Sequence, residues 1–304
     1  MTNPIPVRLA LTLLALVAAP CALSAATSDY ATAVLANSPY AYYRLGESSG
    51  TPVADSSGNS HGGSYVNSPT LSVAGDGAGG DAAVTFNGTN QRVLTGLAGF
   101  NSLGHSSMEF VFGTTTATAN LTLVGTTNAG TSTAFSISTN SNTAGTQTLA
   151  NSTRIFLRDD AGTSALSASF VSAALYSGSY NDLVITFDST LGVSGLKVYL
   201  NGAAVTLSTA TTGTGISATS ATSTFANSFG FAPTLGANNN RGTVASFVAS
   251  TFDEAAFYTS ILSSTDVFNH YLALTAVPEP STYALFGGLS VGAFAFWRRR
   301  RARG

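Results

Sequence analysis

The chain has 304 residues, of which only 9% are charged, and its formal net charge is −2. Between residues 27 and 276 the basic residues are scattered and the carboxylates outnumber them, which argues against a nucleic-acid-binding surface. The single cysteine, Cys21, lies in a predicted leader segment. The rest of the chain therefore has no disulfide, thiol nucleophile or cysteine-ligated metal, and its fold must depend on core burial.

The first 26 residues have the layout of a cleavable secretory signal. Arg8 precedes an apolar core at residues 9–19, and small residues follow it. We therefore predict a signal peptide at residues 1–26 that signal peptidase removes, with cleavage after Ser24 or Ala26. Cys21 raises the alternative of a lipoprotein, but Pro20 directly before it fits an acylation site poorly.

The segment that follows shows period-two alternation of apolar and polar residues separated by turns, which is typical of strands. Asn201-Gly202 between two apolar runs is a strong hairpin signal. Residues 113–152 are rich in Thr, Ser and Asn and give no clear strand layout. The strands are predicted at residues 40–45, 83–86, 108–112, 121–125, 154–158, 183–187, 196–200, 203–207 and 247–258.

One helix is predicted in this segment, at residues 263–272. Ser263 is its expected N-cap, with Asp266 three residues later, and apolar residues follow at helical spacing. Many short strands with one terminal helix predict an all-β fold, an antiparallel two-sheet sandwich, over residues 27–276.

Residues 283–297 form an uncharged apolar run that as a helix would extend about 22 Å, which is short for a membrane of about 30 Å. Trp297 and snorkelling arginines can make up the difference. The basic tail 298–304 is a positive-inside signal that would keep its end cytoplasmic. We predict a transmembrane helix at 283–297; the alternative is a buried core helix with a solvated basic tail. The membrane-stop residues are Arg298, Arg299, Arg300 and Arg301, followed by Arg303.

A short proline-containing segment precedes the apolar run. Pro278 and Pro280 cannot continue a helix, so they keep the linker extended and Glu279 exposed to a processing enzyme. With the apolar run and the arginines, this segment resembles the PEP-CTERM sorting signal of Gram-negative bacteria, here residues 277–304. The resemblance implies recognition by an exosortase, a membrane cysteine protease that removes the tail. The motif residues are Val277, Pro278, Glu279, Pro280 and Ser281.

Several segments of residues 40–272 follow one another in an order similar to that of concanavalin A-like, laminin G-type jelly rolls. The resemblance implies a two-sheet jelly-roll sandwich of a kind that often binds glycans or proteins, sometimes through calcium. The segments are 42–47, 55–59 and 84–88 at the opening, 183–188 and 197–202 in the centre, and 235–238, 252–258 and 262–271 at the close.

Calcium requires several oxygen ligands, of which carboxylates supply the charge. The candidate ligands are Asp55 with Asn59 in the first turn, and Asp253 near the closing strand; the pair 159–160 is a further candidate. We favour the alternative, in which Asp55 caps a turn and Asp253 hydrogen-bonds the backbone at a sheet end.

No catalytic residue is predicted. Glycoside hydrolysis needs a positioned pair of carboxylates, and Glu47, Glu109 and Glu254 belong to no such cluster. Asp253 and Glu254 are neighbours, and in a regular strand they would face opposite sides of the sheet. The three histidines, including His270, are expected in turns or on the surface.

These features together predict a protein exported through the inner membrane, transiently anchored there by its C-terminal helix and then displayed on the cell surface or in the extracellular matrix. Its domain is predicted to bind exopolysaccharide or another glycan. The alternative is a structural or adhesive matrix protein without a defined ligand site, and a glycoside hydrolase is less favoured.

Overall fold

A computed structural model describes residues 29–76, 81–98, 100, 105–116, 118, 120–127, 133–141, 148–158, 165–207, 215–218 and 230–276. The predicted signal at 1–26 and the predicted sorting segment at 277–304, with its apolar run, lie outside these residues. None of the helices within them is long and apolar enough to cross a membrane.

The described chain is built mainly of short strands, with two α-helices and two 3-10 helices. The helices are α1 (Asp29–Ala36), α2 (Ser264–Thr275) and the 3-10 helices Ala173–Tyr176 and Ser189–Gly195. The strands are β1 (Ala41–Tyr43), β2 (Pro52–Val53), β3 (Gly63–Val66), β4 (Thr70–Ala74), β5 (Ala82–Asn87), β6 (Arg92–Leu94), β7 (His105–Gly113), β8 (Thr122–Thr127), β9 (Thr133–Ser141), β10 (Thr148–Arg158), β11 (Ala165–Val171), β12 (Asn181–Asp188), β13 (Leu196–Leu200), β14 (Ala203–Ala204), β15 (Gly215–Ala218), β16 (Thr234–Leu235), β17 (Asn238–Asn240), β18 (Thr243–Ala245) and β19 (Ala249–Tyr258).

The strands form two sheets. The first sheet has the order β14-β13-β12-β7-β19-β5-β4, and β1 also pairs with β19. The second has the order β15-β11-β10-β9-β8-β16-β6-β3-β2, with β17 added to β8 and β18 to β17. The long strands pair antiparallel, whereas β17 runs parallel to β8. The prediction of an antiparallel two-sheet sandwich is confirmed.

The main core consists of side chains from both sheets. Because alternate residues of a strand point to opposite faces, every second residue of each central strand reaches this core. Phe110 and Phe257 of the first sheet belong to one buried cluster with Ile137 and Ile155 of the second. The rings of Phe110 and Phe257 meet edge to face, with centroids 5.6 Å apart. The predicted alternation therefore defines the core of the sandwich.

The outer face of the first sheet is covered by the two helices. Val111 of β7 and Val184 of β12 form a second buried cluster with Tyr30 of α1 and Val267 of α2. Both faces of this sheet are therefore buried, so polar side chains that point outward from its central strands lie beneath the helices rather than in water.

The hairpin predicted from Asn201-Gly202 is confirmed. Both residues have positive φ, 52° and 75°, and they connect paired residues Leu200 and Ala203. Positive φ at both central positions gives a turn whose twist matches that of the flanking strands. The strand after the turn ends at Ala204, so it is shorter than the predicted 203–207.

The predicted helix is present as α2, but the structure contains a further α-helix, α1, that was not predicted. α2 begins after the N-cap Ser263, carries the expected capping box with Asp266, and continues to Thr275. The expectation that no other helix is present is wrong, because α1 precedes the first strand. A helix of two turns has little stability of its own, and α1 is stabilised by packing against α2 and the sheet.

Replacing Ser263 by alanine is expected to lower the free energy of unfolding by about 1 kcal/mol. The Ser263 Oγ accepts a hydrogen bond from the Asp266 N–H at 3.1 Å, and the variant leaves this helix-terminal donor without its partner. Urea denaturation measures the difference. Ser264→Ala changes an exposed serine at the first position of the same helix and serves as the control. Equal losses in the two variants would contradict this assignment of the cap.

Candidate functional site

Two places in the sandwich concentrate polar side chains. One is an open cavity beside the β17–β18 hairpin, at the second sheet. The other is a set of buried carboxylates on the outer face of the first sheet, beneath α1 and α2.

Two buried threonines of β8 fix the position of the β17–β18 hairpin. The Thr127 Oγ1 donates to the Asn239 carbonyl at 3.3 Å and accepts from the Arg241 N–H at 3.0 Å. The Thr126 hydroxyl donates to the carbonyl of Phe231, whose own N–H donates to the Thr127 carbonyl. Phe231 and the hairpin are therefore held against the same strand.

The turn of the hairpin is stabilised internally as well. The buried Asn239 accepts the Gly242 N–H at 2.9 Å and donates to the Ala232 carbonyl at 2.7 Å. Arg241 and Gly242 have φ of 54° and 87°, as a two-residue turn with positive φ at both positions requires. The backbone that carries Arg241 is thus fixed by contacts that need no ligand.

The cavity beside this hairpin has a volume of about 550 Å³. Its described lining consists of Phe231, Asn240, Arg241 and Thr243, and the last three are exposed. A guanidinium binds a carboxylate through paired hydrogen bonds, and the amide and hydroxyl can bond to sugar hydroxyls. The half-buried ring of Phe231 provides an apolar surface on which a sugar ring can stack. We call this cavity, with its four lining residues, the rim cavity.

The second place is centred on Glu109, which points outward from β7 and is fully buried. Its carboxylate accepts hydrogen bonds from the hydroxyls of Tyr30 at 2.9 Å and Tyr258 at 3.1 Å. It also accepts from Nδ1 of His270 at 2.9 Å, while Nε2 of His270 contacts Oδ1 of Asn37 at 2.9 Å. Glu109 therefore connects two strands with α1 and α2.

His270 is a positively charged group in this network. Both of its ring nitrogens face oxygen acceptors, so both must donate. Burial lowers its pKa, but the hydrogen bond and the charge of Glu109 outweigh burial, and the net pKa is raised above its usual value. The expectation of a turn or surface histidine is wrong for His270, because the period of α2 turns it toward the sheet.

Asp253 and Glu254 do not alternate as residues of a regular strand would. Along β19, Phe252 pairs with Phe112 and Glu254 pairs with the adjacent Val111, so Asp253 is an extra residue in a β-bulge. The expectation that the two carboxylates face opposite sides of a regular strand is therefore wrong. Both are buried, and the pKa of Glu254 is raised mainly by burial and further by the charge of Asp253.

Three carboxyl groups on this face have raised pKa values. Burial is the main cause in Asp182, Asp253 and Glu254, and it raises the pKa of Asp253 to about 7. Within the described residues, neither carboxylate oxygen of Asp182 has a hydrogen-bond partner. A buried carboxylate without a partner is costly, so these groups favour their protonated forms.

The predicted calcium ligand Asp55 is engaged by the backbone of its own turn. Its carboxylate accepts N–H groups of Tyr42 and Ser57 at 2.9 Å and of His61 at 2.8 Å. Burial opposes the effect of these hydrogen bonds, which nevertheless lower the pKa of Asp55. Asn59 donates to the carbonyl of Pro39 at 3.0 Å. These contacts are the ones that the turn-capping alternative predicts.

The other predicted ligand, Asp253, binds a different loop, where it accepts the Asp76 N–H at 2.8 Å. No group of three or more His, Cys, Asp or Glu side chains among the described residues is arranged to hold a metal ion. The pair 159–160 lies outside those residues. Calcium binding stays a prediction.

The glutamates weighed for hydrolysis have other roles. Glu47 accepts the Ala54 N–H at 2.7 Å and the Tyr65 hydroxyl at 2.6 Å. Glu109 is buried under the helices, and Glu254 is buried with Nε of Arg44 3.9 Å from its carboxylate. None of the three belongs to the described lining of the rim cavity.

Residues 276–301 match the model of the PEP-CTERM protein-sorting motif. The chain carries a PEP-CTERM motif. It begins directly after α2, whose last residue is Thr275, and the predicted resemblance is confirmed. The PEP-CTERM match covers the segment 277–281 and Arg298 to Arg301; the role of each residue in processing stays a prediction.

No protein with a curated description matches the PEP-CTERM chain in sequence. Solved structures show the same fold at low identity. The ligand-binding domain of botulinum neurotoxin serotype D, in complex with N-acetylneuraminic acid, is 12% identical with a TM-score of 0.54, covering 80% of this chain and 52% of its own. Trypanosoma rangeli sialidase in complex with sialic acid is 12% identical with a TM-score of 0.52, covering 78% and 33%. The chain thus spans about half of the toxin domain and a third of the sialidase.

Proposed function

We propose that this chain is an exported protein, sorted by exosortase through its PEP-CTERM motif, whose sandwich domain binds an acidic glycan in the rim cavity. The observation that carries the proposal is that Thr127 and Asn239 hold the hairpin and Thr126 holds Phe231, through hydrogen bonds that need no ligand. The exposed Arg241 and the ring-bearing Phe231 therefore line one preformed cavity. A preformed site of this kind loses little entropy on binding.

The cation in the cavity indicates the class of sugar. Arg241 is the charged side chain in the described lining, which contains no carboxylate to neutralise it. A guanidinium is suited to binding a carboxylate through two hydrogen bonds. Two of the structures with the same fold were solved with sialic acids, which are carboxylated sugars, and this supports an acidic exopolysaccharide as the ligand class.

Binding is favoured over hydrolysis because the rim cavity lacks the groups that hydrolysis needs. A glycosidase requires a carboxylate pair on either side of the scissile bond. The described lining offers an arginine, an amide, a hydroxyl and a phenyl ring instead. Glu109 holds the helices on the sheet, and it and the other carboxylates on this face are buried and out of reach of a polymer.

The proposal includes a route to the cell surface. Signal peptidase removes residues 1–26, and the apolar run 283–297 anchors the chain transiently in the inner membrane with its arginines in the cytoplasm. Exosortase then acts at the segment around Glu279 and frees the domain. Retention of Trp297 in protein collected from the cell surface would contradict this route.

Replacing Arg241 by glutamine is expected to weaken binding of polygalacturonate by about 10- to 100-fold, because a hydrogen bond to a charged group contributes about 1.5–3 kcal/mol. The backbone N–H of residue 241 keeps its bond to Thr127, so the hairpin is preserved. Isothermal titration of the mature chain, residues 27–276, measures the affinity. Arg92→Gln is the control, since Arg92 lies over the Phe247 ring outside the cavity.

Equal affinity of the Arg241 variant and the wild type for polygalacturonate would contradict the assignment of the rim cavity as the glycan-binding site. Oligomers that form without binding any acidic glycan would favour the structural alternative. The titration is run with calcium and with chelator, and the proposed site predicts the same affinity in both. Loss of binding in chelator would instead favour the predicted ligands Asp55, Asn59 and Asp253.

A further inference from the structure

An exposed apolar stripe runs along α2, the loop before it and the adjacent 3-10 helix Ser189–Gly195. Large hydrophobic side chains that remain exposed in the described part of the chain are Val171, Leu191, Ile261, Phe268 and Leu272, with exposed fractions from 41% to 54%. All except Val171 belong to this stripe. Such a concentration next to one helix differs from the single exposed apolar residues found on most surfaces.

The members of the stripe are continuous in space. Leu191 and Ile261 line one cavity of about 270 Å³ together with Ser264, the first residue of α2. Ser264, Phe268 and Leu272 are four residues apart and therefore share one face of the helix. We refer to Leu191, Ile261, Phe268 and Leu272 as the α2 stripe.

The position of α2 is fixed by its other face. Val267 and Leu274 are buried in the cluster beneath the helix, and His270 is bound to Glu109 of the sheet. The α2 stripe therefore points away from the sandwich and cannot turn inward without breaking these contacts. Burial of the stripe requires something outside the sandwich.

We infer that the α2 stripe lies on the surface of the lipid bilayer while the chain is anchored; the inference rests on the proposed anchoring by residues 283–297. Leu272 is four residues before position 276, where the PEP-CTERM motif begins. The chain from 276 to 283 spans at most about 23 Å when extended. The stripe is therefore held close to the point where the apolar run would enter the membrane.

The chemistry of the stripe fits the apolar part of the interface. Its members are two leucines, an isoleucine and a phenylalanine, and the nearby carboxylate of Asp266 is engaged in the helix cap. A lipid contact of this kind depends on buried apolar area and needs no anionic lipid. Four side chains bind a bilayer weakly and reversibly on their own. The contact is thus maintained by the tether and is lost once exosortase removes the tail.

This contact would orient the anchored domain. α2 lies on the outer face of the first sheet, so the helices would be located between that sheet and the lipid. The PEP-CTERM segment, which follows α2 in the chain, would then begin at the membrane surface, where a membrane protease can reach it. In this arrangement the stripe is a positioning surface for the substrate and takes no part in the cleavage reaction.

The test uses residues 27–304, the anchored chain that remains after signal peptidase acts, in nanodiscs of uncharged phospholipid that contain a nitroxide-labelled lipid. This chain has no cysteine of its own, and a fluorophore is attached through Asn269→Cys, at an exposed position between Phe268 and Leu272. The control label is attached through Val171→Cys, at the exposed apolar residue outside the stripe. Nitroxide quenching is expected to be several-fold stronger at position 269. The variant Phe268→Ser with Leu272→Ser is expected to reduce it to the control level, with an unchanged melting temperature.

Flotation of the protein with the discs is measured separately and reports anchoring. Flotation without stronger quenching at position 269 would overturn the contact and leave the anchor intact. Failure to float would overturn the proposed anchor and the inference together. Energy transfer between labels at position 269 on two copies, without nitroxide quenching, would show that the stripe binds a second copy and would also overturn the inference.

Discussion

Replacing Glu109 by leucine is expected to lower the free energy of unfolding by roughly 3–5 kcal/mol, the cost of breaking a buried ion pair from one side. The variant leaves the charged His270 without its carboxylate and leaves the hydroxyls of Tyr30 and Tyr258 without their acceptor. These groups are buried, so water cannot replace Glu109. The loss should affect both helices, because Tyr30 lies on α1 and His270 on α2.

Urea denaturation of the mature chain measures this loss. Glu47→Leu is the control, because Glu47 also accepts two hydrogen bonds but is more exposed. The double variant Glu109→Leu with His270→Leu is expected to be less destabilised than the sum of the single variants, since it removes both charges. A Glu109 variant no less stable than the Glu47 variant would show that the network contributes little.

The domain is expected to lose stability as the pH rises from about 4 through about 7, the usual and the raised pKa of Asp253. The folded state raises the pKa of Asp182, Asp253 and Glu254, so between the unfolded and folded pKa values it binds more protons than the unfolded state. The resulting stabilisation is present at low pH and is lost as the pH passes the folded pKa. The raised pKa of His270 also makes the domain less stable as the pH rises. For Asp253, a rise to about 7 corresponds to about 4 kcal/mol at ~1.36 kcal/mol per pKa unit.

Below about pH 4 the trend should reverse, because Asp55 and Asp266 have lowered pKa values and lose their hydrogen bonds on protonation. Asp182→Asn is expected to raise stability at pH 8 and to flatten the slope, since it removes a buried charge that has no partner among the described residues. Asp188→Asn is the control, because Asp188 is only half-buried and its hydrogen bond with the Thr190 side chain lowers its pKa instead. A slope unaffected by Asp182→Asn would assign the pH dependence to other groups.

Strands such as β7, β12, β13 and β19, the hairpin and the cap of α2 could be predicted because each depends on short-range patterns, whereas β3, β4, β9 and β11 were missed. Alternation along β12 and β13, Asn201-Gly202 and the pair Ser263 and Asp266 specify their own geometry. α1 could not be predicted in this way, because two turns of helix are stable only through tertiary packing. The bulge at Asp253 is likewise set by pairing with β7, which no pattern within β19 records.

The candidate sites were less predictable for the same physical reason. The rim cavity combines Phe231 with Arg241 of the hairpin, and both are positioned by threonines of β8, more than a hundred residues earlier. A local signal existed for the buried network: Glu109 stands between Met108 and Phe110 in the predicted strand 108–112, whose other residues are apolar. A carboxylate in that position indicates a buried partner, here His270, from a distant part of the chain.

The central claim, that the rim cavity binds the carboxylate of an acidic glycan, is tested most directly by comparing polygalacturonate with its carboxyl-reduced form. The account predicts that the wild-type mature chain binds the reduced polymer about 10- to 100-fold more weakly, as expected for the loss of a charge-assisted hydrogen bond. It also predicts that Arg241→Gln binds both polymers with the same low affinity. Equal affinity of the wild type for the two polymers would contradict it.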